Sequence, residues 1–151
     1  MLMKKVALGC DPNASDLKDV VKETLKDLGY EWEDYGSDDP VYANVAIDVA
    51  EAVASGKHDR GILVCGTGIG MSLAANKVQG AYAALCSDAY STERSIKSNN
   101  ANIMTLGSQV IGTHLAKALV KIWMESEYEP GGRSAPKVQR IYDYCKDKGV
   151  G

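Results

Sequence analysis

Gly61-Ile62-Leu63-Val64-Cys65-Gly66-Thr67-Gly68-Ile69-Gly70 is the stretch that decides the fold. Its first five residues are the most apolar run in the chain and carry no charge. That suits a strand buried on both faces at the centre of a parallel sheet. Glycines at 66, 68 and 70 then allow a tight turn, and helical spacing follows over 70–77. Strand, glycine turn and helix in succession make one unit of an α/β protein.

The same alternation extends in both directions. Strands are expected over 5–9, 31–35, 81–86 and 103–107, the second more polar and so nearer an edge. Helices are expected over 16–28, 43–54, 89–97 and from about 113 to 125. The first has Leu17, Val20, Val21, Leu25 and Leu28 on one face, Ser15 or Asp16 to cap it and Gly29 to stop it. Five strands interleaved with helices predict a single-domain, Rossmann-like or flavodoxin-like five-stranded parallel sheet with helices on both faces. Residues 127–151 break the rhythm at Glu129-Pro130-Gly131-Gly132 and resume as an extra C-terminal helix over about 135–146. Such a helix often docks on a partner subunit. The whole of 1–151 reads as one domain.

The chain has 151 residues, 45% hydrophobic and 25% charged, enough for one domain with a substantial core. A net charge of −3 offers no electrostatic footprint for nucleic acid or for an anionic membrane surface. No run reaches the ~20 apolar residues of a membrane span. Met1-Leu2-Met3-Lys4-Lys5 leads straight into a strand pattern, without the apolar core or cleavage site of a signal peptide. The four cysteines, Cys10, Cys65, Cys86 and Cys145, show no CxxC spacing, which fits reduced thiols and a cytoplasmic protein.

Ligands of open parallel sheets bind beyond the carboxyl ends of the strands, so the loop 65–70 is the first place to look for chemistry. It fails the dinucleotide fingerprint, because Gly66 and Gly68 are followed by Met71. It lacks the Gly-Lys-Ser/Thr of a phosphate loop. A third arrangement remains: a cradle of backbone N–H groups from Gly66 to Gly70 for one anionic oxygen, beside a thiol held at a helix start where it can act as base or nucleophile. Set against it, a lone cysteine closing an apolar strand is commonly plain core. Arg133 and Lys137, four apart, are spaced to share one helix face and anchor a phosphate, although basic pairs are usually solvated surface.

Together with Ala74-Ala75-Asn76-Lys77, this loop resembles the ribose-5-phosphate isomerase B family, which includes the galactose-6-phosphate isomerase subunits. The likeness runs over nearly the whole chain. Gly9-Cys10-Asp11 matches the family's strand-then-Asp site and Tyr42 its substrate-loop tyrosine. Asn99-Asn100-Ala101-Asn102 and Gly107-Ser108 match the region around the fifth strand, and Gly131-Gly132-Arg133 the phosphate-binding tail. The resemblance implies an aldose–ketose isomerase working through an enediol, without metal or organic cofactor. It also implies a homodimer or tetramer whose sites are shared, tail residues reaching into the neighbour. In these terms Cys65 is the base and Gly66, Gly68 and Gly70 hold the enediolate. Thr67 assists catalysis, Asp11, Tyr42 and Asn99 bind substrate, and Arg133 and Lys137 hold its phosphate. In their blander roles Tyr42 is core edge and Asn99 a helix C-cap.

The departures from the pattern bear on the substrate. Where the family often has a His after Asp11 there is Pro12, and the His credited with ring opening is Ser98. A tail His is Ser134, a phosphate-site Arg near the fifth strand is Gln109, and another in the tail is Lys137. The two histidines present, His58 and His114, fit no ring-opening role. The first expectation is an isomerase of the ribose 5-phosphate/ribulose 5-phosphate type; because ribose 5-phosphate cyclises and a tetrose 4-phosphate stays open, these changes make a tetrose 4-phosphate isomerase the close alternative. The segments 42–44, 98–101 and 132–135 resemble the erythrulose-4-phosphate branch of the family. Two further possibilities are a non-catalytic subunit of a hetero-oligomeric isomerase and a flavin-binding electron carrier, the latter poorly served by the few aromatic residues at strand ends.

Overall fold

The computed structural model describes residues 3–151; Met1 and Leu2, which head the stretch read as lacking a leader, lie outside the described residues. In chain order the elements are β1 (Val6–Cys10), α1 (Ser15–Asp27), β2 (Trp32–Asp34), α2 (Tyr42–Ala54), β3 (Gly61–Cys65), α3 (Ile69–Ala75), β4 (Ala83–Leu85), α4 (Ala89–Lys97), β5 (Ile103–Gly107), α5 (Thr113–Glu125) and α6 (Ala135–Lys148). Among the described residues no helix is long and apolar enough to cross a membrane.

All five strands are parallel, in the order β2-β1-β3-β5-β4, with the apolar run of β3 in the middle. The last two strands exchange places relative to a flavodoxin-like 2-1-3-4-5 sheet. Burial explains the exchange: every residue of β5 is buried, whereas β4 is half exposed and ends in an exposed Leu85. The strand apolar on both faces takes the interior place. β4 is also shorter than expected, because the Tyr82 and Ala83 N–H groups are taken by the side chains of Asn102 and Asn76.

The sheet separates two cores. On one side Val6, Leu8, Ile62, Val64, Met104 and Leu106 pack against α1, α4 and α5, around the fully buried Trp123. On the other, Ala7, Leu63 and Ile103 pack against α2 and α3. α1 therefore leaves β1 on one face and α3 leaves β3 on the other, which opens a crevice between the ends of β1 and β3. The expected cap of α1 is corrected: no side chain caps it, and Asp11 instead caps a 3-10 turn, Pro12–Ala14, that feeds the helix. Pro12 starts that turn and shifts the cap upstream. At the edge, buried Lys18 of α1 meets Asp34 of β2 at 2.8 Å and Lys22 meets it at 2.6 Å. Burial works to raise the Asp34 carboxyl, but the bonds from both lysines and from the Gly36 N–H outweigh it and hold it below the usual carboxylate range.

α6 docks on its own chain. Val138 and Cys145 are buried, and Tyr142 accepts a bond from Asn100 Nδ2 at 2.9 Å while its ring lies 5.0 Å from that of Tyr82. Ile141 and Tyr144 are left exposed.

Candidate active site

The crevice between β1 and β3 is a topological switch point, the place where an open α/β sheet binds ligands. A cleft of about 460 Å³ occupies it. Asp11 enters from the end of β1, Tyr42 from the first turn of α2, and Cys65, Gly66, Thr67 and Gly70 from the glycine loop. Six of the residues singled out in the sequence thus meet in one place.

The loop is tied to the end of β5. Ser108 N–H donates to the Cys65 carbonyl at 2.8 Å, Gln109 N–H to that of Gly66 at 2.9 Å, and the buried Thr105 hydroxyl to that of Gly68 at 2.9 Å. With these carbonyls drawn to β5, the amides on the other side of the loop are left for the cleft. Two are already engaged, that of Ile69 by the Thr67 hydroxyl and that of Gly68, which donates to Cys65 Sγ at 3.1 Å. Of the amides expected to cradle one substrate oxygen, that of Gly68 is thus directed at the Cys65 sulfur. Gly68 has φ +81°, and a Cβ there would run into the Leu85 side chain and the Leu106 backbone. Only glycine fits. The Thr67 hydroxyl accepts from Ile69 N–H at 3.2 Å and keeps its own proton to donate. Asp11 uses Oδ1 to accept from Asn13 N–H at 2.8 Å, which leaves its other oxygen for a ligand.

Gly70 has a packing reason as well. A Cβ there would collide with the ring and hydroxyl of Tyr42, so the tyrosine lies directly on the glycine backbone. Gly70→Ala should push Tyr42 off the cleft and raise KM about tenfold, ~1.4 kcal/mol of binding, with a smaller effect on kcat; unchanged KM would show that Tyr42 is edge packing alone.

Arg133 and Lys137 do not line this cleft. They line a second pocket, about 350 Å³, with Glu129, with Tyr90, Arg94 and Lys97 of α4 and with Ser98 just after it. The shared-helix-face reading of this pair is also corrected: α6 begins at Ala135, so Arg133 belongs to the loop before it, and the loop rather than helical spacing brings the two cations together. Asn99 lines neither pocket. It is exposed beyond the end of α4, and it is Asn100, at φ +54°, that takes the left-handed position after the helix. His58 is buried, with Nδ1 2.7 Å from the Lys5 carbonyl and Nε2 2.8 Å from the Tyr35 hydroxyl, a structural role. His114 is exposed on α5.

Two sets of residues escaped the sequence reading. Tyr90, Arg94 and Lys97 follow an i, i+4, i+7 spacing that could have marked a helix face. Gln109, noted only as a lost arginine, lies against the Gly66 backbone and lines the Cys65 cleft.

Against known proteins, the profile of the ribose/galactose isomerase family matches residues 6–141. The chain is 48% identical over 146 residues to the D-erythrulose-4-phosphate isomerase of Pectobacterium atrosepticum, covering 94% of this chain and 95% of that one. It is 46% identical over 137 residues to the ribose-5-P isomerase B of Listeria innocua, covering 89% and 92%. Among solved structures, the ribose-5-phosphate isomerase B of Clostridium thermocellum superposes with a TM-score of 0.89 at 41% identity, covering 95% of this chain and 99% of that one.

Proposed function

The chain belongs to the ribose/galactose isomerase family of sugar-phosphate isomerases, and from that premise we propose that its substrate is a tetrose 4-phosphate, interconverted between ketose and aldose through an enediolate. One observation carries the choice of substrate: the basic pocket holds Ser98 and no imidazole. Ser98 Oγ is 3.3 Å from Arg94 Nη1, so it acts there as an acceptor, and a hydroxyl cannot replace an imidazole as acid and base near neutrality. Pro12 likewise supplies none beside Asp11. A tetrose 4-phosphate, its 4-oxygen esterified, forms no furanose and needs no ring opened. The name carried by the Pectobacterium relative agrees with this reading.

In this reading Cys65 takes the proton from the carbon beside the carbonyl, and the electron pair moves onto the carbonyl oxygen as an enediolate. The amides of Gly66, Thr67 and the Gly70 turn stabilise that oxygen. The Thr67 hydroxyl passes a proton between the two oxygens, and Cys65 returns the first proton to the neighbouring carbon. Asp11 and Tyr42 hold the substrate's hydroxyls. Arg133 and Lys137 hold the phosphate, and they do so for a second copy of the chain, because within one chain they line a different pocket from Cys65. A homodimer or tetramer is supported by the apolar residues lining the cleft, where Ile69 and Leu73 stand exposed, Leu73 at 63%. The α6 face bearing Ile141 and Tyr144 is the tail's contribution to the same contact. Four free cysteines support a cytoplasmic home.

The test is a panel of four-, five- and six-carbon aldose and ketose phosphates followed by NMR. The expected result is a higher kcat/KM for erythrulose 4-phosphate or erythrose 4-phosphate than for ribose 5-phosphate, with Ser98→His improving the five-carbon reaction more than the four-carbon one. Preference for ribose 5-phosphate over every tetrose phosphate would overturn the substrate and leave the isomerase standing.

A further inference from the structure

We propose that Arg94 is a substrate-binding residue, the fourth cation of the pocket that takes the phosphate, held in place by Glu93 and Ser98. The proposal rests on the assignment of that pocket to phosphate. α4 presents Arg94 and Lys97 across from Arg133 and Lys137 of the tail. Two carboxylates serve these four cations. Glu93 bridges Arg94 Nη2 at 3.0 Å and Lys97 Nζ at 3.3 Å, and Glu129 lines the pocket on the tail side. The net charge of +2 matches a phosphate dianion.

The guanidinium itself is incompletely used. Nη2 goes to Glu93 and Nη1 to Ser98 Oγ, while Nε is shielded from solvent and has no hydrogen-bond partner among the described residues. A buried unpaired N–H on a charged group is costly and rare in a finished site. A planar fork with donors to spare, fixed at two corners, is the geometry that takes a phosphate through two parallel bonds. Ser98 then has a positive role as well as a missing one. Its small hydroxyl accepts from Arg94 Nη1 and orients the guanidinium.

The test uses inorganic phosphate as probe, read by its protection of the folded protein against heat and by its competitive inhibition. Arg94→Gln shortens the side chain and removes both the charge and the fork; it should weaken phosphate binding about tenfold and raise KM for sugar phosphate by a similar factor, with kcat within about threefold. Arg94→Lys keeps the charge but not the fork and should fall between the two. Wild-type phosphate affinity in Arg94→Gln overturns the proposal. Should that variant not fold, wild-type affinity in Arg94→Lys does so instead. Because phosphate binding needs no turnover, loss of phosphate affinity in these variants would uphold the role of Arg94 even if the wild type turned over no tetrose phosphate, an outcome that would sink only the substrate assignment.

Discussion

Cys65→Ala should fold normally and interconvert sugar phosphates at least ~10²-fold more slowly than the wild type, the low end for a positioned base. If Cys65 is the base, exchange of the substrate's C2 hydrogen with solvent should stop as well. β3, a strand with no charge and no exposed side chain, is anchored at the centre of the sheet, and its last residue is delivered to the switch-point crevice. Gly68 N–H then meets the sulfur, and the glycines around it leave room for a substrate carbon. The other cysteines are not equivalent. Burial pushes the thiols of Cys10 and Cys86 up, and Cys145 is buried on α6. Near-normal turnover in Cys65→Ala, or persistent C2 exchange, would place the base elsewhere, with Asp11, the carboxylate that lines the cleft, the next candidate.

Arg133→Ala should weaken binding of phosphorylated substrate by about 1.5–3 kcal/mol, the range for a hydrogen bond to a charged group, which is a rise in KM of roughly 10- to 150-fold. The phosphate is bound in ground state and transition state alike, so kcat should fall much less. Lys137→Ala should show the same pattern more weakly, because an ammonium offers a point charge without a fork. A wild-type KM in Arg133→Ala would remove the tail from the site and return Arg133 to the solvated surface.

The sheet was readable because its signals are local. The apolar runs at 61–65 and 103–107, the glycine after α1 and the helical spacing of α1 and α5 each act over a few residues, and the observed elements follow them closely. The order of β4 and β5 was not readable in this way, since it depends on which strand is buried on both faces once the helices are in place. The cap of α1 was misplaced because Pro12 inserts a 3-10 turn, a one-residue effect with a three-residue consequence. For the site, the Cys65 half was legible from the glycine pattern and the resemblance together. The basic pocket was legible only in part. Arg133 and Lys137 stood out beside a glycine pair, whereas Arg94 and Lys97 look like ordinary surface charge on α4 until the tail folds across them. Asn99 stood out by its motif, yet the structural work of that segment falls to Asn100 and Asn102.

Two chains make one site in this account, and a mixing experiment tests that most directly. Cys65→Ala and Arg133→Ala chains, each nearly inactive at low substrate concentration, are mixed in equal amounts under conditions of proven subunit exchange. In a two-fold dimer a mixed pair restores one intact site, Cys65 of one chain with Arg133 of the other, so activity should recover to about a quarter of the wild-type value at equal total chain. No recovery despite exchange would mean that Cys65 and Arg133 serve the same chain or different functions, and would contradict the shared site.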